Sequence, residues 1–382
     1  MAVPKLRFKE FDGDWSPYVL KDFVSFRKGK GISKADISEN GINECIRYGE
    51  LYTTYGQVID HIHSKTNVSK SECILSKAGD VIIPASGETQ IDIATASCVL
   101  YDDIILSGDL NILSHEENGS WLAYYLSSAK KLEIAQLAQG NSVVHLYSSQ
   151  LKDLKINKPS KEEQTKIASF LSNVDEKISQ LTQKHTLLSQ YKQGMMQKLF
   201  SQQLRFKADD GGEFGEWEEI ALGKIKGFSI ASGKSSHEKL ELAKYYYYGS
   251  TGVIGYSNEY DYQGTRILIA RVGHNAGYIY MVSGQYNVSD NTLILELPSN
   301  LDYIFIRAFL EKFQLNKLVF GTGQPLITGS LLKKVVIQVP CLEEQTKIAN
   351  FLSAIDQKIE VVAQQIEQAK TWKKGLLQQM FV

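Results

Sequence analysis

The sequence is poor in cysteine and lacks long apolar runs. Only four cysteines occur in 382 residues, and their unpaired spacing argues against a disulfide framework or a cysteine zinc site. They are Cys45, Cys73, Cys98 and Cys341. The first residues carry no apolar core, and no stretch approaches about eighteen uninterrupted apolar residues, so we expect neither a signal peptide nor a membrane span. These absences predict a cytoplasmic protein in a reducing compartment.

A surplus of basic residues is also absent. The formal net charge is -1, and residues 1–158, 159–200, 201–339 and 340–382 carry charges of -3, +2, 0 and 0. A generic nucleic-acid binder usually carries a clear basic surplus. Any DNA binding must therefore come from local basic patches or from help by the charge of a partner.

Catalytic signatures are missing as well. A P-loop needs four residues between its glycines, whereas Gly227 and Gly233 enclose five. There is no Gly-x-Ser-x-Gly elbow, no Asn-Pro-Pro-Tyr type motif and no glycine-rich cofactor loop after a strand. His61 and His63 have no cysteine or carboxylate cluster at ligand spacing, which favours a structural role over a metal site. The sequence predicts a non-catalytic chain without a metal.

An internal repeat dominates what is present. Residues 159–200 match residues 340–381 without a gap at an offset of 181, and 19 of the 42 positions are identical. Both copies contain Glu-Glu-Gln-Thr-Lys-Ile-Ala, and the regions before them repeat more loosely. The matching landmarks are Leu6-Arg7-Phe8 with Leu204-Arg205-Phe206, Gly13-Asp14-Trp15 with Gly215-Glu216-Trp217, Tyr48-Gly49 with Tyr248-Gly249, and 140–151 with 321–332. The chain is a duplicated unit of head plus tail.

Each repeated tail is predicted to be a long helix. Pro159 and Pro340 can open it, and glutamates follow in the first turn, where the helix dipole favours acid. Apolar residues recur at spacings of three and four, a heptad stripe that needs a partner helix. The stripe residues are Ile167, Leu171, Val174, Ile178 and Leu181, then Ile348, Leu352, Ile355, Ile359 and Val362. The other copy is the simplest partner, and antiparallel pairing would place a head at each end of a rod of roughly 60 Å.

Two lysines interrupt these stripes at equivalent positions. Lys192 and Lys373 either fix the register as polar seam residues, or mark the end of the coil and face solvent. Asp175 and Asp356 lie beside the stripe in a short acidic run. We interpret that run as a solvated helix face rather than as the end of a nuclease motif.

The heads are expected to mix strands and helices. Residues 81–83 and 266–269 are β-rich runs among glycine-rich turns, and one helical segment is expected near 121–137 and 303–318. The predicted class is α+β: two mixed α/β domains joined by two long antiparallel helices that form an intramolecular coiled coil with pseudo-two-fold symmetry. The segments are head 1 at 1–158, helix 1 at 159–200, head 2 at 201–339 and helix 2 at 340–382.

Basic turns and polar loops in the heads are candidate recognition surfaces. The Gly-Lys turn within residues 27–31 recurs at 233–234 and is either a plain surface turn or a contact to DNA phosphate. The loop 84–90 aligns with 270–276 around a shared glycine, with different polar groups on each side. Both are either solvent-exposed loops or base readers, since Arg and Asn can donate to guanine and adenine edges and Glu can accept from cytosine.

A head ending in an apolar strand, then Pro-x-x-Glu-Glu-Gln-Thr-Lys-Ile-Ala and a long helix, all repeated, resembles the specificity subunit of type I restriction-modification systems over the whole chain. The resemblance implies that each head is a target-recognition domain reading one half of a split, asymmetric DNA site, with the helices as conserved spacers. It implies two methyltransferase subunits that use S-adenosylmethionine and restriction subunits that use ATP and Mg²⁺. No cofactor is expected in this chain.

The resemblance places candidate DNA contacts in the turns and loops of both heads. In head 1 they are Arg27, Lys28, Lys30, Tyr52, Ser86, Glu88, Thr89 and Gln90. In head 2 they are Lys234, Ser250, Thr251, Tyr256, Arg271, His274, Asn275 and Gln324. Two other classes stay open: a coiled-coil scaffold that binds partner proteins without reading DNA, and a self-sufficient nuclease or methyltransferase, which would need a catalytic motif that the sequence does not show.

Overall fold

The computed structural model describes residues 3–140, 143–320 and 325–382. The chain forms two compact units: unit 1 is Met1–Thr182 with Gln364–Val382, and unit 2 is Gln183–Ala363. Each unit combines one head with the adjoining part of each long helix. The predicted α+β class, with two sheet-rich heads and two long helices, is confirmed. The four segments drawn from the sequence remain a prediction.

Head 1 is built on two sheets of short strands. A five-stranded sheet has the order β2-β11-β7-β9-β4, and a four-stranded sheet has the order β5-β3-β10-β6. The strands are β1 Ser16–Val19, β2 Ser25–Lys28, β3 Asn43–Ile46, β4 Val58–Ile59, β5 Ser64–Thr66, β6 Ile74–Leu75, β7 Val81–Pro84, β8 Ser86–Gly87, β9 Ser97–Val99, β10 Ile105–Leu106, β11 Leu110–Ser114, β12 Val144–His145 and β13 Lys155–Lys158. The helices of unit 1 up to the first long helix are α1 Glu50–Thr53, α2 Gln90–Ile93, α3 Gly119–Ser127, α4 Lys131–Leu137, α5 Ser148–Leu151 and α6 Lys161–Phe200.

Head 2 also contains two larger sheets. Their orders are β15-β22-β19-β20 and β17-β16-β21-β18. The strands are β14 Glu218–Ala221, β15 Ser229–Ser232, β16 Tyr245–Gly249, β17 Gly252–Ser257, β18 Tyr262–Gln263, β19 Arg266–Ala270, β20 Ile279–Val282, β21 Gln285–Val288, β22 Thr292–Glu296 and β23 Val336–Val339, and the helices are α7 Tyr303–Phe313, α8 Gly329–Leu332 and α9 Leu342–Met380. The predicted β-rich runs are therefore strands β7 and β19. The helical segment expected in each head is also present, although in head 1 it is divided into α3 and α4.

An antiparallel strand pair closes each head onto its long helix. In head 1 β1 pairs with β13, and in head 2 β14 pairs with β23. Because β13 and β23 directly precede the long helices, this pairing brings the Arg and Trp landmarks near the start of each head to the beginning of the helix. Among the helices that the structure describes, none is both long enough and apolar enough to cross a membrane.

The long helices begin two residues later than the prolines. α6 begins at Lys161 and α9 at Leu342, and the predicted glutamates lie in the first turn of each helix. In α6 the carbonyl of Ser160 accepts from the amide of Gln164 at 2.9 Å. In α9 the carbonyl of Cys341 accepts from the amide of Gln345 at 3.1 Å.

The apolar stripe of each long helix is buried. Most of its residues are inaccessible, and only Ile178 and Ile359 are half-buried. The buried members are Ile167, Leu171, Val174 and Leu181 in α6, and Ile348, Leu352, Ile355 and Val362 in α9. The beginning of each stripe packs against the core of a head as well as against the other helix, a second partner that the heptad pattern did not predict.

The two long helices run antiparallel within each unit. In unit 1 the Tyr125 hydroxyl donates to the carbonyl of Val382 at 2.7 Å and accepts from the amide of Asn157 at 3.0 Å. The end of α9 therefore lies beside the beginning of α6. In unit 2 Leu199, near the end of α6, shares one apolar cluster with Ile348, near the beginning of α9. The predicted antiparallel pairing is confirmed inside both units.

A buried glutamate in the first turn of each long helix holds the start of the head. In α6 the Glu163 carboxylate accepts from Arg7 Nε and Nη2, both at 2.7 Å, and the Trp15 Nε1–H lies 3.4 Å away. In α9 the fully buried Glu344 accepts from Arg205 at 3.1 and 2.7 Å and from the Trp217 indole at 3.1 Å. The Leu-Arg-Phe and Gly-Asp/Glu-Trp landmarks are repeated because both supply donors to this carboxylate.

The glutamine that follows each of these glutamates connects the long helix to a helix of the head. Gln164 Oε1 accepts from the amide of Asn118, the residue that caps α3, at 3.0 Å. Gln345 Oε1 accepts from the amide of Asp302, which caps α7, at 2.9 Å. Both glutamines also donate from Nε2 to the carbonyl of the preceding proline, at 3.1 and 2.9 Å. The Glu-Glu-Gln sequence therefore fixes head and helix as one body within each unit.

The two stripe lysines are paired with aspartates. Lys373 Nζ lies 2.6 Å from Asp175 Oδ1, and in unit 2 Lys192 Nζ lies 2.5 Å from Asp356 Oδ1. Their side chains are only 17% and 16% exposed, so the solvent-facing alternative is wrong and the polar seam is correct. The neighbouring residues of the two aspartates, Glu176, Lys177, Gln357 and Lys358, are exposed, as the solvated-face interpretation predicts. Asp175 and Asp356 themselves are 33% and 38% exposed and pair with the lysines, which that interpretation did not predict. The Tyr124 hydroxyl donates to Asp175 at 2.7 Å. Burial raises the pKa of Tyr124 most, and the charge of the Asp175 carboxylate raises it further.

Glu163→Gln and Glu344→Gln should each lower the free energy of unfolding of their own unit by about 3 kcal/mol, because the variant leaves a poorly solvated guanidinium without its counter-charge. Hydrogen–deuterium exchange of each unit measures the loss. Glu162→Gln is the matched control, since Glu162 is the exposed neighbour in the same turn. Equal exchange in the control and the test variants would contradict this assignment.

Lys373→Met and Asp175→Asn should show a coupling free energy of about 1–2 kcal/mol in a double-mutant cycle, because each single variant leaves one charge of a shielded pair. The exposed Lys374 provides the control: Lys374→Met combined with Asp175→Asn should give additive losses. A coupling near zero for the Lys373 cycle in thermal or urea unfolding would show that the seam pair contributes nothing.

Candidate functional site

The basic turn occupies the same place in both heads. Two backbone hydrogen bonds hold the turn in each head. In head 1 the amide of Gly29 donates to the carbonyl of Leu110 and the amide of Lys30 to that of Leu106, both at 3.0 Å. In head 2 the amide of Gly233 donates to the carbonyl of Thr292 at 2.9 Å and the amide of Lys234 to that of Val288 at 2.8 Å. A Cβ on Gly29 would lie 1.9 Å from the Ser107 carbonyl oxygen, and one on Gly233 would approach a backbone oxygen to 2.3 Å. Only glycine fits there. The turn therefore presents Lys30 and Lys234 to solvent at matching positions.

The Tyr-Gly landmarks meet this turn at an equivalent serine. In head 1 Ser107 borders Gly29, and its Oγ accepts from the amide of Tyr48 at 3.2 Å. In head 2 the amide of Ser289 donates to the carbonyl of Tyr248 at 2.8 Å. In head 1 the equivalent amide, that of Ser107, donates to the carbonyl of Ile46 at 3.0 Å. The fold therefore matches Tyr248 with Ile46, and the Tyr-Gly pairing drawn from the sequence is out of register by two residues.

Arg27 serves the interior of head 1. Its Nη2 pairs with Asp80 at 2.5 Å, Nη1 donates to the Leu75 carbonyl at 3.1 Å, and Nε donates to Ser114 Oγ at 3.2 Å. These bonds occupy the guanidinium on three sides and give Arg27 a structural role in head 1. The DNA contact expected for Arg27 stays a prediction. The adjacent Lys28 is exposed at the end of β2.

The loop 84–90 offers fewer free polar groups than its sequence suggests. Ser86 is buried in β8 and cannot reach a ligand in this conformation. Thr89 caps α2 and donates to Asp92 at 2.6 Å, and Gln90 Nε2 lies 3.4 Å from a backbone carbonyl. Glu88 is exposed, which leaves its carboxylate as the acceptor that this loop presents.

Tyr52 lies beside this loop. Its ring approaches Gly87, and burial together with the charges of Tyr48, Glu88 and Asp92 raises the pKa of the Tyr52 hydroxyl. The phenol therefore stays protonated at neutral pH and can donate a hydrogen bond. Head 1 brings Tyr52 and Glu88 into one polar patch.

The hairpin β16–β17 presents the second group of candidates in head 2. Ser250 and Thr251 form its turn, and Gly252 follows with a φ of 99°. Tyr256 on β17 lies across from Tyr246 on β16, with ring centroids 5.5 Å apart. Thr251 and Tyr246 are exposed, so the hairpin offers a hydroxyl and an aromatic edge.

A row of tyrosines continues from this hairpin. Adjacent ring centroids lie 5.5 to 6.1 Å apart, in the order Tyr256, Tyr246, Tyr248, Tyr280 and Tyr278. Tyr246 and Tyr278 are 49% and 58% exposed. The tyrosine run at 245–248 is visible in the sequence, whereas Tyr278 and Tyr280 join it only through the fold. An amphipathic aromatic row of this kind suits recognition of a partner surface.

The loop after β19 carries the third group. Arg271 is half-buried, whereas His274 and Asn275 are exposed beside a pocket of about 570 Å³. Gln314 and Asn316 also line this pocket, and no sequence pattern marked them. Gln324 lies outside the described residues.

The described residues contain no group of three His, Cys, Asp or Glu placed to hold a metal ion. The rings of His61 and His63 meet edge to face with centroids 5.0 Å apart, and Tyr55 packs against His63 at 5.3 Å. These contacts give the histidines a packing role. All four cysteines are free thiols.

Comparison with known proteins gives consistent matches over the whole chain. The family model of the type I restriction modification DNA specificity domain matches twice, at residues 12–189 and 215–371. The MjaVIII type I restriction enzyme specificity subunit of Methanocaldococcus jannaschii is 25% identical, covering 97% of this chain and 94% of the relative. The putative type I restriction enzyme MjaX specificity subunit of the same organism is 30% identical, covering 98% and 94%.

A solved structure supports the fold. The crystal structure of the type I restriction-modification S subunit from M. genitalium aligns with a TM-score of 0.69 at 19% identity, covering 100% of this chain and 99% of that one. Two matches of the family model, one per head, coincide with the two equivalent frames described above. The chain therefore belongs to the family of type I restriction-modification DNA specificity subunits.

Proposed function

We propose that each head reads one half of an asymmetric, bipartite DNA site and that the paired helices set the number of base pairs between the halves. The observation that supports the proposal is that the two heads are docked alike but carry different surface loops. Glu163 and Glu344 dock the two heads in the same way, whereas the loops at equivalent positions carry different polar groups.

The unlike loops support two unlike half-sites. Head 1 presents the acceptor Glu88, which suits the amino group of cytosine, while head 2 presents Asn275, which suits adenine. The exposed lysines of the shared turn suit backbone phosphates, which position a protein without reading sequence. A symmetric target would require the same groups in both loops.

The helices support the ruler role by their length and continuity. α6 has 40 residues and α9 has 39, which corresponds to roughly 60 Å each. One turn of DNA measures about 34 Å, so rods of this length suit recognition elements placed in successive major grooves.

The proposed partners follow from membership of the family. We expect two methyltransferase subunits with S-adenosylmethionine, and restriction subunits with ATP and Mg²⁺, to perform the chemistry that this chain lacks. The net charge of -1 fits such an assembly, because partner subunits that close around DNA can supply electrostatic attraction.

Methylome sequencing of cells that express this chain with its methyltransferase partner tests the proposal. We expect a methylated motif of two different short halves around an unspecified spacer. A palindromic or uninterrupted motif would contradict the assignment of one half-site to each head. An assembled complex that binds no DNA would instead favour the scaffold alternative.

The purified chain alone should bind DNA weakly, near the non-specific range of roughly 10⁻⁴–10⁻⁶ M at physiological salt, because its own charge is close to zero. The complex with methyltransferase subunits should bind its target tightly, with a steep salt dependence. Fluorescence anisotropy at several KCl concentrations measures both. Tight, sequence-specific binding by the chain alone would refute the need for partner charge.

Inserting seven residues into α6 after Thr182, together with seven into α9 after Ala363, should lengthen or abolish the recognised spacer while leaving both half-sites unchanged. Both positions lie where a helix passes from one unit to the other, and a heptad preserves the stripe. An insertion of equal length after Asp210, in an exposed loop of head 2, is the control. A changed half-site with an unchanged spacer, read by methylome sequencing, would exclude the ruler.

A further inference from the structure

Head 2 contains a polar pocket that includes one of the candidate residues, Arg271. Its volume is about 290 Å³, and it lies between the end of β15, the loop after β19 and the segment containing α8. The polar side chains that line it are Ser232, Arg271, Thr328, Ser330 and Lys333. No carboxylate is among the described residues that line it, so the pocket carries two cations and three hydroxyls.

Arg271 is exceptional among the seven arginines of the chain. The other six each pair with a carboxylate: Arg7 with Glu163, Arg27 with Asp80, Arg47 with Glu50, Arg205 with Glu344, Arg266 with Glu296, and Arg307 with Glu311. Arg271 pairs with none of the carboxylates in the described part of the chain. Its Nη1 donates to Ser232 Oγ at 3.3 Å, and its buried Nε has no hydrogen-bond partner within that part. A buried N–H of a guanidinium that has no acceptor is costly, and an external anion would satisfy it.

The fold itself does not require this arginine. Head 1 has an equivalent backbone position, Ala85, whose amide donates to the Asp109 carbonyl at 2.7 Å and whose carbonyl accepts from Leu146 at 3.0 Å. In head 2 the amide of Arg271 donates to the Asn291 carbonyl, and its carbonyl accepts from Ile327, both at 2.9 Å. The same frame thus holds alanine in one head and arginine in the other. The side chain of Arg271 therefore has a role other than holding the frame.

The chemistry of the lining selects the ligand. A guanidinium, an ammonium and hydroxyl donors around a small concave space match a tetrahedral oxyanion, and arginine binds phosphate with two parallel donors. A base edge is planar, so a concave pocket with two cations and three hydroxyls suits it less. The exposed Lys234 lies two residues beyond Ser232, so the pocket opens beside the basic turn expected to meet DNA phosphates.

We propose that this pocket binds one backbone phosphate of DNA, with Arg271 as its principal ligand and Lys333 as a second cation. This inference rests on the proposed DNA-reading function and changes the part given to Arg271 from base reading to positioning. Head 2 gains a phosphate anchor that head 1 lacks at the equivalent position. The anchor fixes the position of head 2 on its half-site.

The test uses the full chain assembled with its methyltransferase subunits. Binding to a target duplex and to a scrambled duplex is measured over a KCl series for the wild type, Arg271→Gln and Arg271→Lys. Arg266→Gln is the matched control, because it removes the same charge at the other end of β19, where Arg266 is bonded to Glu296. One lost phosphate contact should reduce the slope of log K against log salt by about 0.9.

Arg271→Gln should show this reduced slope on both duplexes and bind each roughly ten-fold more weakly, Arg271→Lys should keep most of the slope, and Arg266→Gln should keep the wild-type slope. A wild-type slope for Arg271→Gln overturns the anchor. A loss confined to the target duplex, with a relaxed half-site, also overturns it and returns Arg271 to base reading.

Failure of the proposed function is visible separately, since the wild-type complex would then bind neither duplex. A thermal-shift titration of the full chain with inorganic phosphate, which needs no DNA, distinguishes free phosphate from a DNA phosphate. Stabilisation of the wild type but not of Arg271→Gln supports the oxyanion pocket. Equal responses of the two proteins overturn it.

Discussion

A buried carboxylate at the start of each long helix is the constraint on which the arrangement of each unit depends. Glu163 and Glu344 each accept from an arginine and a tryptophan near the start of a head. The next residue, a glutamine, accepts from the amide of the residue that caps a helix of the same head. A buried ion pair stabilises little by itself but is costly to break, and it therefore fixes one arrangement over others. In this chain the arrangement fixed is that of a head on a long helix, which is what the proposed ruler requires.

The sequence predicted the parts that depend on local periodicity. The long helices, their buried stripe and the strands β7 and β19 followed from spacing alone, because burial of one face imposes a period of 3.6 or 2 residues. The partners of individual charges did not follow. Glu163 was assigned to the helix dipole and Asp175 to a solvated face, since their partners, Arg7 and Lys373, are distant in sequence and meet them only through the tertiary fold.

In the candidate site, too, the sequence predicted the repeated turn but not the contacts of individual side chains. The Gly-Lys turn could be predicted from its repeat, and the fold explains its glycine, because any Cβ at Gly29 would lie 1.9 Å from a backbone oxygen. The individual contacts could not be predicted, because Arg27 and Arg271 look alike in sequence while one is bonded to Asp80 and the other has no carboxylate partner among the described residues. Under the proposed function, identical frames with unlike exposed groups let one fold recognise two different half-sites.

If docking is common to both heads and specificity is not, a chain with two copies of head 2 should recognise the same half-site twice. Replacing residues 1–158 with residues 201–339 places Arg205 and Trp217 where Arg7 and Trp15 otherwise meet Glu163. Methylome sequencing with the methyltransferase partner should then give a target with two identical halves in inverted orientation, both equal to the half-site of head 2. A target that keeps the half-site of the missing head 1, or a methylated motif unrelated to either half, would contradict the account.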